Sequence, residues 1–187
     1  DLRARETKQV QFLDQESVKY ERIYRYAVSD SLAEGTEPVD VIFRVLNKTE
    51  SGLGKPLPAG SVSVFEPGPD GSFLFAGQAA IEDMAVGLPV EVATGRTAEV
   101  RVAPRRVQSK ESGGGNDKTV TDTWEVTIAN NKSVAVAFEL VQDLYSGRAE
   151  IVTESLSHGT KAGRAIWNPT LAAGQRLVVR YVIRHPD

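Results

Sequence analysis

The chain has 187 residues, with 22 Lys and Arg against 25 Asp and Glu, a formal net charge of −3 and 41% hydrophobic residues. It contains no cysteine, which excludes disulfide scaffolds and metal sites with thiolate ligands. A mildly acidic chain has no electrostatic attraction to nucleic acid, so we predict no nucleic-acid partner. No apolar run approaches the roughly 18 residues that a membrane span needs, so we predict that the chain does not span a membrane.

Hydrophobic residues at every second position are the dominant pattern, and they predict half-buried β-strands. The alternation and the Gly, Pro and Asn turns between segments predict twelve strands, at 9–13, 18–28, 39–46, 61–66, 72–78, 88–93, 97–106, 119–129, 133–141, 148–153, 163–167 and 175–184. The clearest inward faces are Trp124, Val126 and Ile128; Val134, Val136, Phe138 and Leu140; and Leu177, Val179, Tyr181 and Ile183. Only 29–34 suits a helical turn. Antiparallel hairpins should dominate, because no crossover helices are available.

Two irregular segments divide this pattern. Residues 67–71, Pro-Gly-Pro-Asp-Gly, predict a hairpin loop. Residues 52–60 combine two prolines and three glycines in a rigid connection, either a structural clasp or a binding edge; turn chemistry explains each of its residues and favours the clasp.

The Gly- and Ser-rich stretch at 108–117 suits either an interdomain linker or the tip of a long hairpin. We predict a boundary there. The predicted fold is all-β, with two small antiparallel β-sandwich modules of immunoglobulin-like type, at 1–107 and 118–187, packed together.

A resemblance adds to this prediction. Leu57-Pro58-Ala59-Gly60 is its most specific part, and residues 7–10, 24–26, 43–48, 52–65, 75–81, 124–130, 134–140 and 174–181 extend it over nearly the whole chain. Together they resemble the C-terminal β-rich domain, of unknown function, of the bacterial mucoidy-inhibitor-A-like family. The resemblance implies a periplasmic or exported location, a longer parent chain and no established catalytic residues. The Gly-rich insert at 112–116 departs from that family.

Candidate catalytic groups are sparse. The two histidines are His158 and His185, and Ser155 and Ser157 lie beside the first of them. Triads assemble in space, so this adjacency is weak evidence, and no Gly-x-Ser-x-Gly elbow is present. Neither metal-ligand spacing nor a phosphate-binding loop occurs. We predict no catalytic, metal or cofactor-binding residue and hold an unrecognised hydrolase as a third hypothesis.

The strongest binding hint is the predicted strand at 19–27. Tyr20, Arg22, Tyr24 and Tyr26 share one face of it, and aromatic and cationic side chains on a strand can stack on sugars or partner peptides. Alternatively the tyrosines cover the core or pair across strands. A basic cluster at 101–110 is more typical of a solvated surface.

We therefore predict a non-catalytic interaction or structural domain of an exported or envelope protein. Its partner would be another protein or the rest of the parent chain, contacted through loops or through an edge such as the terminal strand at 175–184. The alternative is a carbohydrate-binding module that uses an exposed face of Tyr20, Tyr24 and Tyr26.

Overall fold

The computed structural model describes residues 11, 13–28, 35–114, 117–144 and 147–187. Their regular structure is almost entirely β-strand, which confirms the predicted all-β class. In chain order the strands are β1 (Glu21–Val28), β2 (Glu37–Leu46), β3 (Gly60–Pro67), β4 (Phe73–Ile81), β5 (Pro89–Ser112), β6 (Thr119–Asn130), β7 (Val136–Asp143), β8 (Glu150–Glu154), β9 (Gly159–Lys161), β10 (Arg164–Trp167), β11 (Thr170–Leu171) and β12 (Arg176–Pro186). In this part of the chain, no helix has the length and apolarity to cross a membrane.

Ten strands form one sheet in the order β8-β12-β6-β5-β2-β1-β7-β10-β9, with β11 also paired to β7. The other two, β3 and β4, form a separate antiparallel hairpin. Antiparallel pairs dominate the sheet, as the pattern predicts. The exception is β1, which runs parallel to β7 from Ile23 opposite Ala137 to Val28 opposite Gln142.

The large sheet folds over on itself into two layers. Trp167 of β10 and Tyr181 of β12 lie near opposite ends of the strand order, yet their ring centroids are 4.5 Å apart. The long strand β5 makes this possible, because its first part pairs with β2 and its second part with β6, with register shifts in both ladders. Such bulges raise the local twist and let one strand serve two layers.

The predicted inward faces fill the space between the layers. The buried members are Trp124, Val126, Ile128, Val136, Phe138, Leu140, Val179, Tyr181 and Ile183. Their burial, at about 25 cal/mol per Å² of apolar surface, stabilises the two-layer arrangement. Val134, predicted with them, is 56% exposed, since β7 begins only at Val136.

The two predicted modules are not separate in the hydrogen bonding. Strands β5 and β6 pair from Val100 opposite Asn130 to Ser112 opposite Thr119, so the predicted boundary at 108–117 lies at the end of a long hairpin. The β1–β7 ladder also joins the range 1–107 to the range 118–187. The residues on either side of the Gly- and Ser-rich stretch belong to β5 and β6, which pair with each other, and this pairing favours a hairpin tip over a linker. The predicted strand at 9–13, apart from residues 11 and 13, and the helical turn at 29–34 lie outside the described residues.

Candidate interaction surface

The four predicted contact residues occupy different environments. Tyr24 and Tyr26 are 4% and 8% exposed and belong to the core between the layers. Burial of the phenol, together with the neighbouring carboxylate of Glu37, raises the pKa of Tyr26 to about 12. Tyr20 is 60% exposed and Arg22 is half-buried. The three tyrosines therefore do not form an exposed face, because the shared face of β1 turns inward beneath the second layer.

Tyr20 and Arg22 lie where this inner face leaves the core. The Arg22 guanidinium lies 4.9 Å from the ring centroid of Phe43 on β2, and the Tyr20 ring is 5.3 Å from the same ring. Arg22 also forms an ion pair with Glu66 of β3. These contacts lead from the main sheet to the β3–β4 hairpin, which covers this end of the sheet.

The outer side of the β3–β4 hairpin carries exposed aromatic rings. Phe65, Phe73 and Phe75 are 53%, 79% and 61% exposed. Phe65 lies opposite Phe75 in the ladder, with centroids 5.7 Å apart, and Phe73 lies opposite Pro67 next to them. We call Phe65, Phe73 and Phe75 the aromatic face. Soluble chains seldom expose adjacent large apolar side chains without a use for them.

The segment that carries the aromatic face contains charged side chains of one sign. Between Lys55 and Arg96 the sequence contains no lysine or arginine but has five acidic residues, Glu66, Asp70, Glu82, Asp83 and Glu91. The first four belong to the hairpin, its turn and the loop that follows β4. This segment alone contributes −5 to a net charge of −3, so the rest of the chain carries +2. The hairpin and the loop that follows it therefore carry four acidic and no basic side chains, and Arg22 of β1 pairs with one of the four.

A groove of about 540 Å³ separates the inner side of the hairpin from the main sheet. Val62, Val64 and Phe65 line it from β3, and Phe43, Val45 and Val92 line it from β2 and β5, with Val18, Tyr20 and Pro67 at its margins. Arg22 and Glu66 bridge its two walls. Phe65 lines the groove and also contacts Phe75 in an edge-to-face arrangement, so the groove and the aromatic face are continuous.

The base of the hairpin is held by one buried amide. Asn47 is fully buried; its Nδ2 donates to the carbonyl oxygens of Lys55 and Ala85, at 2.8 and 3.2 Å, and its Oδ1 accepts from Lys55 N–H. Leu57 and Met84 exchange backbone hydrogen bonds beside it. These contacts support the predicted structural clasp at 52–60. Farther along the hairpin, a Cβ at Gly77 would lie 2.1 Å from the carbonyl oxygen of Thr94, so glycine allows β4 to contact β5.

A second polar region lies on the outer face of β7, β1, β2 and β5. Glu139 accepts hydrogen bonds from Arg25 (2.7 Å) and Arg44 (2.5 Å), and Glu91 accepts from Arg25 (2.8 Å), Arg44 (2.9 Å) and Lys161 (2.9 Å). Desolvation raises the pKa of Glu91, but these hydrogen bonds outweigh it and lower the pKa to about 2. A cavity of about 460 Å³ adjoins the network. Because its charges already pair with one another, the network stabilises the sheet.

The side chains considered for catalysis make separate contacts. His158 Nδ1 and Trp167 Nε1 both contact Glu154 Oε2, at 2.8 and 2.9 Å. Ser155 Oγ accepts from the N–H of Arg180, so this serine and His158 are engaged separately. Among the described residues, no three His, Asp or Glu side chains are grouped to hold a metal ion.

The predicted edge at 175–184 is wrong for residues 181–184. Strand β12 pairs with β6 along its length and with β8 from Tyr181 to Arg184, so this second half lies inside the sheet. The alternation that predicts such a strand does not reveal how many neighbours it has.

Comparison with known proteins adds no identification. No family model matches the chain, and no curated protein matches it. The folded domain of the Mycobacterium tuberculosis protein LppM, solved by NMR, aligns with 96% of this chain and 97% of its own chain, at 8% identity and a TM-score of 0.28. The resemblance to the mucoidy-inhibitor-A-like family stays a prediction.

Proposed function

We propose that this chain is a non-catalytic protein-interaction domain and that the β3–β4 hairpin is the element that contacts the partner. The observation that carries the proposal is the aromatic face, in which three phenylalanines are each more than half exposed on one side of a hairpin. Aromatic residues are enriched where proteins meet, and a few such side chains supply most of the binding energy.

The negative charge of the hairpin indicates which charge the partner's interface carries. A second copy placed symmetrically on the aromatic face would bring two acidic hairpins together, and an anionic membrane would repel them. A protein with an apolar patch bordered by lysine or arginine complements both properties. The proposed partner therefore has a basic interface.

The proposed setting is the bacterial periplasm or exterior, within a longer parent chain. Its support is the resemblance described from the sequence. Fusing the parent gene to alkaline phosphatase, which is active only after export, tests this part of the proposal: an inactive fusion in intact cells would contradict it.

Affinity capture with matched variants tests the interaction. We expect the immobilised chain to retain an envelope protein that the double variant Phe73→Ser/Phe75→Ser binds at least about tenfold less tightly, because two exposed anchors are lost. Val152→Ser, at an exposed valine of β8, should bind it normally. The captured protein should have a basic contact surface, and raised salt should weaken the complex. Equal retention by the double variant and the wild type would contradict the proposal.

A further inference from the structure

The groove beneath the hairpin adds to the proposed interface, and its lining indicates which kind of side chain binds in the groove. Its walls are buried and half-buried valines with Phe43 and Phe65, and its volume of about 540 Å³ exceeds that of one large side chain. The aromatic face lies on its rim through Phe65. A partner that covers the aromatic face therefore also reaches the mouth of an apolar groove.

The charged groups that line the groove are Arg22 and Glu66, and a further acidic residue, Asp70, lies in the adjoining turn. Arg22 reaches Glu66 Oε1 and lies over the Phe43 ring, so two interactions hold this guanidinium. Glu66 Oε2 accepts no hydrogen bond within the described part of the chain, and the Glu66 side chain is 42% exposed. Asp70 lies in the turn beyond it, with one carboxylate oxygen accepting from Ser72 N–H. Glu66 can thus take a second cation while it keeps Arg22.

We propose that the groove receives an apolar side chain from a cationic segment of the partner, with lysine or arginine of that segment paired to Glu66 and Asp70. This inference rests on the proposed function, because it concerns the same partner. It adds a second contact to the interface. The aromatic face packs against the partner's surface, and the groove binds an apolar side chain that has lysine or arginine beside it in the partner's sequence. Burial of that side chain contributes to the affinity, while the acidic residues favour a positively charged partner over a negatively charged one.

A short blocked peptide that alternates lysine with leucine and phenylalanine is a direct probe. Calorimetry with the whole chain should give binding to it, and amide NMR shifts should centre on Val45, Val62 and Val64. A matched peptide with glutamate in place of lysine should bind at least about tenfold less tightly, and so should one with serine in place of leucine and phenylalanine.

Substitutions in the chain separate the groove from the aromatic face. Val64→Thr keeps the side-chain shape but makes the wall polar, and we expect about fivefold weaker binding. Glu66→Gln should weaken binding about threefold at low salt and less at high salt. Val152→Thr is the matched control for Val64→Thr and should bind normally. Thermal unfolding of each variant shows whether the fold is retained.

The outcomes distinguish this inference from the proposed function. If Phe73→Ser weakens binding and Val64→Thr does not, the groove inference fails while the aromatic face stands. If the wild type does not bind the cationic peptide at millimolar concentration, or binds the glutamate peptide with equal affinity, the proposed selection of a cationic partner is wrong. Dimerisation of the chain that Phe73→Ser abolishes would identify a second copy as the occupant, and binding to phosphatidylcholine vesicles would identify a lipid; both would overturn the inference.

Discussion

Single side chains decide which parts of this sheet a partner can reach. Arg22 and Tyr24 share a face of β1, yet Tyr24 is 4% exposed between the layers while Arg22 lies beneath the hairpin and contacts Glu66. Sequence spacing correctly grouped Tyr20, Arg22, Tyr24 and Tyr26 on one face. Side chains of distant strands cover Tyr24, and the β3–β4 hairpin covers Arg22, so spacing could not show which tyrosines would be exposed.

The ionisation of Glu91 should make the free energy of unfolding depend on pH in the acidic range. Its folded pKa of about 2 lies below its ordinary value of 4.5, so its contribution is fully present above about 4.5 and is lost as the pH falls through about 2. We expect the free energy of unfolding to fall across this window in the wild type and to change less in Glu91→Gln. Urea unfolding at several pH values measures this. Glu99→Gln, at an exposed carboxylate paired with Lys132, is the control; parallel curves for wild type and Glu91→Gln would contradict the assignment.

At the scale of elements, the sequence predicts the position of the β3–β4 hairpin but not its exposed aromatic face. The turn at 67–71 is where the Pro-Gly-Pro-Asp-Gly sequence puts it. Alternating phenylalanines usually mark a buried face, so exposure was not foreseen. Two sequence signals could have indicated it: Ser61, Ser63 and Gln78 lie on the same face as the phenylalanines, and the segment between Lys55 and Arg96 lacks basic residues.

Asn47 should hold this hairpin to the main sheet. Asn47→Ala removes a buried amide and leaves carbonyl groups of Lys55 and Ala85 without their donor, so we expect a loss of about 2–3 kcal/mol in the free energy of unfolding. Hydrogen exchange should also become faster for the amides of β3 and β4. Asn131→Ala, at an exposed side chain, should change neither measurement by much. Unchanged exchange in the hairpin would show that other contacts hold its base.

At the scale of the whole molecule, one sheet contains strands from both predicted modules. We expect that residues 118–187 expressed alone do not fold, because β6 would lack β5 and β7 would lack β1. Circular dichroism and the dispersion of amide NMR signals measure this. The whole chain cut at a protease site inserted after Gly113 should stay folded, since the cut follows the end of β5 at Ser112. A well-dispersed spectrum from 118–187 alone would restore an independent module.

The parallel pairing of β1 with β7 also sets the order of events during synthesis. Arg25 and Glu139, which bond across this ladder, are 114 residues apart in sequence. A ribosome that adds roughly 5–20 residues per second needs on the order of ten seconds to cover that distance. Through that interval the nascent β1 has one edge without its native neighbour, which makes this the stage at which a chaperone that shields strand edges would help most.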